Sequence, residues 1–182
     1  MSILRLVAGT MAVLVAGGCG GRDALAPSAP PSAAQRSPSA LATTGSGQVQ
    51  TSGLFDANVD FSTLSLTPRG GNCLLVVKGQ LVFHGAIQGA GNGQTTALVF
   101  GSCAEVASTP PGTDADVFTS ELEFTGTIAG EPAHAHVMYQ GRVQPGGHID
   151  GRLIFSNGVS GELEASAQVA VGGEYHGAVV VH

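Results

Sequence analysis

Apolar and polar residues alternate with a period of two over most of the chain. In residues 75–87, every second residue is apolar or glycine, and the intervening positions include Lys78 and His84. The same alternation recurs over residues 118–128 and 133–143. Because side chains of a β-strand point alternately to its two faces, the pattern predicts strands with one buried and one polar face. The residue types assigned to the buried face are Leu, Val, Phe, Ile, Ala, Tyr and Gly.

Turn-forming residues divide this part of the chain into short segments. Clusters rich in Gly, Pro, Asn and Asp separate about eight predicted strands, and the Gly-rich stretch 89–93 is interpreted as a hairpin turn. The clusters are 68–72, 89–93, 109–114, 130–132, 145–147, 156–161 and 172–173. These connections are too short for the crossover helices that parallel strands need. We therefore predict an all-β fold, a single antiparallel eight-stranded barrel, over residues 49–182.

A nine-residue pattern occurs twice within the predicted barrel. Leu-x-Phe-x-Gly-x-Ile-x-Gly stands at residues 81–89 and again at 122–130, with five identities at an offset of 41. Its glycines fall on the inward face of the predicted strands. Glycine at such a position leaves space for a neighbouring ring or lets a strand bend as a barrel closes.

The amino-terminal segment has the pattern of an export signal. Arg5 precedes the apolar residues 6–16, and Ala16-Gly17-Gly18 lead into Cys19. The apolar stretch from residue 3 to 16 is shorter than the roughly 20 residues that span a bilayer. Residues 15–19 resemble the lipobox of bacterial lipoproteins, which implies that the Cys19 sulfur is acylated and residues 1–18 are removed. The alternative is an ordinary signal peptide that contains a cysteine.

Residues 19–48 are predicted to be a disordered tether. The stretch is rich in Pro, Ala, Ser and Gly and has no hydrophobic periodicity, so it buries too little surface to offset its ordering entropy. With Cys19 lipidated, the protein is expected in the bacterial cell envelope, anchored to a membrane, with its folded domain outside the cytoplasm. The lipoprotein resemblance, with Gly20 rather than Asp after the cysteine, implies the outer membrane where the cell has one.

The charge of the chain bears on its partners. The formal net charge is -6, and residues 49–182 hold 4 basic against 12 acidic residues, a balance of -8 for the predicted barrel. The sequence has no basic patch that could neutralise phosphates, so we expect no nucleic-acid partner. The expected partners are a membrane, through Cys19, and an apolar small molecule or an unidentified protein.

Two further cysteines remain if Cys19 carries lipid. Cys73 and Cys103 form an even pair in an oxidising compartment, which predicts a disulfide. The alternative is two buried free thiols. No C-x-x-C motif occurs and no histidine stands close to either cysteine, so a redox or zinc site at this pair is not predicted.

Candidate metal ligands are few. His134 and His136 project to one face of a predicted strand, as two metal-bound imidazoles must, and Glu121 or Glu123 could supply a third ligand. The alternation places both histidines on the outer face, where solvated side chains are the simpler interpretation. Asp114 and Asp116 allow a calcium site, although a solvated loop is favoured. We expect no metal and no cofactor.

A family resemblance rests on the spacing of glycine and aromatic residues. The motifs are Phe124-Thr-Gly-Thr-Ile-Ala-Gly130, Tyr139-x-Gly141, Gly151-Arg152-Leu153, Gly158-Val-Ser-Gly161-Glu-Leu163 and Gly173-Glu-Tyr175-His-Gly177. Residues 79–182 resemble the bacterial domains of unknown function related to the allene oxide cyclase barrel. The resemblance implies an eight-stranded antiparallel barrel with a mostly apolar interior. Plant members cyclise a fatty-acid epoxide with polar residues inside the barrel. No motif here matches those residues, so no catalytic residue is assigned.

Two classes of function remain open. The first is a non-enzymatic module that binds an apolar small molecule in the barrel or a protein partner. The second is an isomerase or cyclase that acts on a lipid-like substrate. The apolar residues assigned to the interior favour the first class, because an enzyme needs polar groups inside the barrel. A cavity above about 300 Å³ with two or more convergent polar side chains would favour the second.

Overall fold

The chain forms a β-barrel in a computed structural model that describes residues 43–44 and 47–182. Its strands are β1 (Thr43–Thr44), β2 (Gln48–Arg69), β3 (Asn72–Gly85), β4 (Ile87–Val99), β5 (Asp116–Ile128), β6 (Glu131–Val143), β7 (His148–Ser156), β8 (Val159–Gln168) and β9 (Gly172–Val181). One short helix, α1 (Cys103–Ser108), connects β4 to β5. The predicted signal peptide, Cys19 and most of the predicted tether lie outside the described residues. The described part of the tether includes β1.

The sheet closes on itself. Each strand pairs antiparallel with the next along the chain, and β2 also pairs with β9, from Gln48 opposite Val180 to Asp56 opposite Gly172. Strands β2 to β9 therefore form an up-and-down barrel, to which β1 adds a short pairing with β2. The predicted fold class, an antiparallel eight-stranded barrel, is confirmed.

The two ends of the barrel differ in their connections. At the end that we call the helix end lie α1 and the connections β2–β3, β4–β5, β6–β7 and β8–β9. At the opposite end, the turn end, tight connections join β3 to β4, β5 to β6 and β7 to β8. Gln48 and Val181 also lie at the turn end, because eight antiparallel strands return the chain to the end where it entered.

Aromatic rings fill the half of the barrel nearest the turn end. The Phe83 ring centroid lies 5.7 Å from that of Phe124 and 5.8 Å from that of Tyr175, and Phe124 lies 6.2 Å from Phe155. All three pairs meet edge to face, an arrangement that contributes about 0.5–1.5 kcal/mol per pair beyond the burial of area. We call Phe83, Phe124, Phe155 and Tyr175 the aromatic cluster. It closes this half with a solid apolar core.

The Tyr175 hydroxyl is bound within the cluster. It accepts a hydrogen bond from the Ile87 backbone N–H at 2.9 Å and donates to the His84 carbonyl at 3.1 Å. These bonds join β9 to the β3–β4 turn across the barrel. The polar atom of Tyr175 is thus fully hydrogen-bonded. The buried hydroxyl of Thr51 on β2, in contrast, has no hydrogen-bond partner.

The hairpin turn predicted at residues 89–93 is wrong. The chain turns at Ala86, and residues 89–93 lie inside β4, where Gly89 pairs with Phe83 and Gly91 with Leu81. A Cβ added to Gly91 would lie 3.4 Å from the Leu122 Cβ and 3.8 Å from the Phe83 ring. The glycines are therefore strand residues and do not form a turn.

A disulfide and a capped helix shape the helix end. Cys73 of β3 is bonded to Cys103 at the start of α1, with their Cα atoms 4.8 Å apart, so the predicted disulfide is confirmed. The sequence analysis missed α1, although Ser102 and Glu105 form a capping box in which each side chain accepts from the other residue's backbone N–H.

Within the described residues, no helix has the length and apolar character needed to cross a membrane.

Candidate ligand-binding cavity

A cavity of about 440 Å³, partly open to solvent, lies inside the half of the barrel nearest the helix end. Its wall is mostly apolar and comes from β2 to β7 together with the connections at the helix end. The lining side chains include Val77, Leu81, Ala97, Val99, Phe118 and Leu122. The volume falls within the roughly 300–1,000 Å³ of small-molecule sites in proteins.

Small residues make room for two aromatic rings in this half of the barrel. Gly141 on β6 pairs with Gly151 on β7, which pairs with Ala165 on β8. A Cβ added to Gly141 would lie 3.2 Å from the Phe118 ring, and one added to Gly151 would lie 2.8 Å from the Tyr139 ring. These two rings meet edge to face, with centroids 4.9 Å apart. They occupy the space over the glycines, so they form part of the cavity wall.

A row of polar side chains crosses three neighbouring strands. Thr95 on β4 is in register with Ser120 on β5, which is in register with Tyr139 on β6. The Thr95 and Ser120 hydroxyls hydrogen-bond to each other at 2.7 Å. The Tyr139 hydroxyl is buried without a hydrogen-bond partner. Its burial, with a smaller effect of the Asp150 charge, raises the pKa of Tyr139, so the phenol stays neutral and can both donate and accept.

Asp116 brings a carboxyl group to the same cavity. It begins β5 at the helix end, and its Oδ1 atom is buried without a hydrogen-bond partner. Burial raises the pKa of Asp116 from 3.8 to about 6, because the charged form loses hydration. The group is therefore mostly ionised at neutral pH, and a buried, unpaired carboxylate is energetically costly.

These polar groups correct two of the predictions from sequence. The interior is not purely apolar, since Thr95, Asp116, Ser120 and Tyr139 line the cavity. Asp116 is not part of a solvated loop, and no group of three metal-ligating side chains occurs among the described residues. The alternation along β5 could have identified two of these residues. Asp116 and Ser120 each stand two residues from Phe118, which was assigned to the inward face, so their side chains point to the same face.

The connection between β4 and β5 covers the cavity at the helix end. Residues 106–107 and 109–114 contribute to the lining. Gly112 of this connection accepts a hydrogen bond from the Gly146 N–H at 2.9 Å, which ties it to the β6–β7 turn. The Cys73–Cys103 disulfide fixes its other side to β3. Phe61 and Leu64, at the irregularity of β2 between Asp60 and Ser65, are exposed apolar side chains on the rim.

The predicted histidine candidates lie elsewhere, on the outer face of β6. The His136 Nε2 atom lies 2.8 Å from a Glu121 carboxylate oxygen, so the expected cross-strand contact with a glutamate is present. His134 instead contacts the Thr125 hydroxyl, through Nδ1 at 3.3 Å. The two imidazoles thus contact different partners and do not share a ligand set.

A second depression, of about 650 Å³, lies on the outer face of β5 to β9. Its lining includes exposed charged side chains that are paired with each other: Arg152 lies 2.9 Å from Glu162, and His176 lies 3.2 Å from Glu164. Exposed ion pairs of this kind contribute about 0–1 kcal/mol. The depression lacks the apolar enclosure of the internal cavity, so the internal cavity is the candidate site.

The cavity combines two chemical capacities. Its apolar wall can enclose a hydrophobic body, and the two unpartnered polar atoms, Asp116 Oδ1 and Tyr139 Oη, can fix the orientation of a polar group. No protein-family model, curated protein or solved structure matches the chain.

Proposed function

We propose that this protein is an envelope lipoprotein whose barrel binds an apolar small molecule in the cavity near the helix end. The observation that carries the proposal is the pairing of a largely apolar cavity of about 440 Å³ with two buried polar atoms that have no partner. Removing apolar surface from water contributes about 25 cal/mol per Å², which supplies the affinity. A buried polar group left unpaired costs about 1–3 kcal/mol, and a ligand that pairs it recovers part of that cost.

Anchoring through Cys19 fits this binding role. The barrel begins with Gln48 at the turn end, whereas the cavity lies towards the helix end. A tether that joins the barrel at Gln48 leaves the helix end facing away from the point of attachment. A lipid-anchored protein could then collect its ligand from the surrounding space. Labelling with radioactive palmitate tests the anchor: the wild type should take up label and Cys19→Ser should not.

Titration with a neutral, apolar naphthylamine dye tests the binding site. The wild type should bind the dye saturably with a rise in fluorescence. Ala97→Phe fills the cavity from β4 and should weaken binding by about tenfold or more, whereas Thr96→Phe adds the same ring to the outer face of β4. Thermal unfolding and circular dichroism establish that both variants are folded. Equal dye affinity of folded Ala97→Phe and the wild type would contradict the proposed site.

One observation favours a second candidate, an isomerase or cyclase of lipid-like substrates. The cavity meets both conditions set above, since it exceeds about 300 Å³ and is lined by the polar side chains of Thr95, Asp116, Ser120 and Tyr139. The pKa of Asp116, about 6, suits a general acid or base near neutral pH. Such a carboxylate would take a proton from one position of the substrate and return it at another, with no co-reactant. Incubation with an unsaturated epoxide, analysed by mass spectrometry and chromatography, tests this candidate. Turnover should be lost in Asp116→Asn while dye binding is kept, and equal turnover by that variant would contradict it.

A further inference from the structure

The charge around the cavity has one sign. Asp114 and Asp116 both contribute to its lining near the helix end. Among the described residues that line it, none is Lys, Arg or His. Glu105 is a further acid at this end, since a Cβ added to Gly101 would lie 3.7 Å from the Asp114 Oδ2 atom and 3.8 Å from the Glu105 Oε2 atom. A ligand in the cavity therefore meets a negative potential without a compensating cation.

The two unpartnered atoms of the cavity, Asp116 Oδ1 and Tyr139 Oη, can accept hydrogen bonds from a donor on the ligand. An ionised carboxylate can only accept, so Asp116 Oδ1 is satisfied by a ligand N–H or O–H and by no other ligand atom. The neutral Tyr139 hydroxyl can also accept through its oxygen. Both residues line the same cavity and stand on the neighbouring strands β5 and β6.

Aromatic rings in the wall add a second attraction for cations. The Phe118 and Tyr139 rings both line the cavity and meet edge to face. An ammonium group over the face of such a ring gains about 0.5–2 kcal/mol, with the larger values where water is excluded. Neither a carboxylate nor an alcohol gains this contact.

We infer that the cavity takes amphiphiles with a single protonated amine on an apolar body, in preference to fatty-acid anions. The inference rests on the proposed small-molecule site and narrows its ligand class. An ammonium group pairs the Asp116 carboxylate and neutralises the local charge. A fatty-acid carboxylate would lie beside Asp116 with no cation to pair it, and like charges at short distance in a poorly hydrated site repel strongly. A neutral alcohol donates one hydrogen bond and leaves the charge uncompensated.

Three ligands with the same ten-carbon chain test the inference: decylamine, decanol and decanoate. Each displaces the naphthylamine dye from the full-length protein near neutral pH, below its micelle-forming concentration and in physiological salt. We expect decylamine to displace the dye at a concentration at least about tenfold lower than decanoate, with decanol between them. Asp116→Asn should bring the affinity for decylamine close to that for decanol in the same variant.

Glu123→Gln is the matched control. It removes the same charge from the outer face of β5, where the side chain is exposed and does not line the cavity. If attraction by the net negative charge of the whole domain caused the preference, Glu123→Gln would weaken decylamine as much as Asp116→Asn.

The possible outcomes distinguish the proposed binding function from the proposed ligand preference. If neither the dye nor any of the three ligands binds, the proposed binding function itself fails. If the dye and decanol bind but decanoate equals or exceeds decylamine, the site stands and the inference is overturned. Equal losses in Glu123→Gln and Asp116→Asn would also overturn it. A preference for decylamine that only Asp116→Asn removes would support it.

Discussion

The two tyrosines of the chain lie in opposite halves of one barrel and differ in their hydrogen bonding. The Tyr175 hydroxyl, towards the turn end, has partners on the backbone of Ile87 and His84. The Tyr139 hydroxyl, beside the cavity, is just as buried and has none. Both side chains interrupt an apolar interior, but only one of them completes its bonding within the protein.

The packing around the two tyrosines differs in the same way. Tyr175 belongs to the aromatic cluster, whereas Tyr139 packs against the rings of Phe55 and Phe118, and both Tyr139 and Phe118 line the cavity. The tightly packed half stabilises the sheet, although the buried Thr51 hydroxyl there also has no partner. The cavity and the unsatisfied polar atoms of the other half lower the stability of the protein, but they can accommodate a ligand, as is common for binding sites.

The largest expected effect comes from truncating rings in the two halves. Phe83→Ala removes the centre of the aromatic cluster and should lower the free energy of unfolding by about 3–5 kcal/mol, because a closed cavity remains. Phe118→Ala borders a space that is already hollow, so we expect a smaller loss of about 2 kcal/mol. Guanidinium unfolding with the disulfide intact measures both. Equal losses would contradict the contrast between the two halves.

The next effect is the pH dependence of stability that Asp116 causes. Its pKa of about 6 in the folded protein is above the ordinary 3.8, so the folded state holds its proton more tightly than the unfolded state does. The resulting stability is present below about pH 4 and is lost as the pH rises through about 6. Each pKa unit corresponds to about 1.4 kcal/mol, so Asp116→Asn should stabilise the protein by up to about 3 kcal/mol at high pH.

Unfolding of wild type and Asp116→Asn across this pH range measures the effect. The two proteins should have similar stabilities at about pH 4 and should diverge between about pH 4 and 6. Glu123→Gln, on the same strand but exposed, serves as the control. A difference between wild type and Asp116→Asn that does not vary with pH would show that the Asp116 carboxyl is not held in a poorly hydrated site.

The smallest effect separates the tyrosines themselves. Tyr175→Phe leaves the Ile87 N–H without its partner and should cost about 1–2 kcal/mol. Tyr139→Phe removes a hydroxyl that has no partner in the protein, so the ligand-free protein should be equally stable or slightly more stable. Thermal or chemical unfolding of the two single variants compares them. A larger cost for Tyr139→Phe than for Tyr175→Phe would reverse the comparison.

Much of the fold could be predicted because strand periodicity is local. Alternation of apolar and polar residues identifies strands without knowledge of their partners, and short connections force them to be antiparallel. The turn predicted at residues 89–93 was wrong because glycine is common both in turns and where strands pack closely. The role of Gly91 depends on Leu122 and Phe83, which become its neighbours only in the folded sheet. The short helix α1 depends on Ser102 and Glu105, a capping signature that the strand pattern obscured.

The candidate site was less accessible from the sequence. Parity places Asp116 and Ser120 on the inward face of β5, but the charge of Asp116 and its neighbour Asp114 favoured a solvated loop. Whether inward residues fill the barrel depends on which of them face each other after closure. The lining of the cavity comes from six strands and from the connections at the helix end, and no local pattern shows that these residues leave a space between them.

Mapping a bound apolar ligand by methyl NMR tests the central claim most directly. Titration of the full-length protein with the neutral naphthylamine dye should shift the methyl signals of Ala97, Leu122 and Val143, which line the cavity. The signals of Ile128 and Val159, buried towards the turn end, should stay nearly unchanged. Shifts confined to Val117 and Thr119 along the outer depression, or shifts spread evenly over both halves, would contradict a binding site in the hollow half of the barrel.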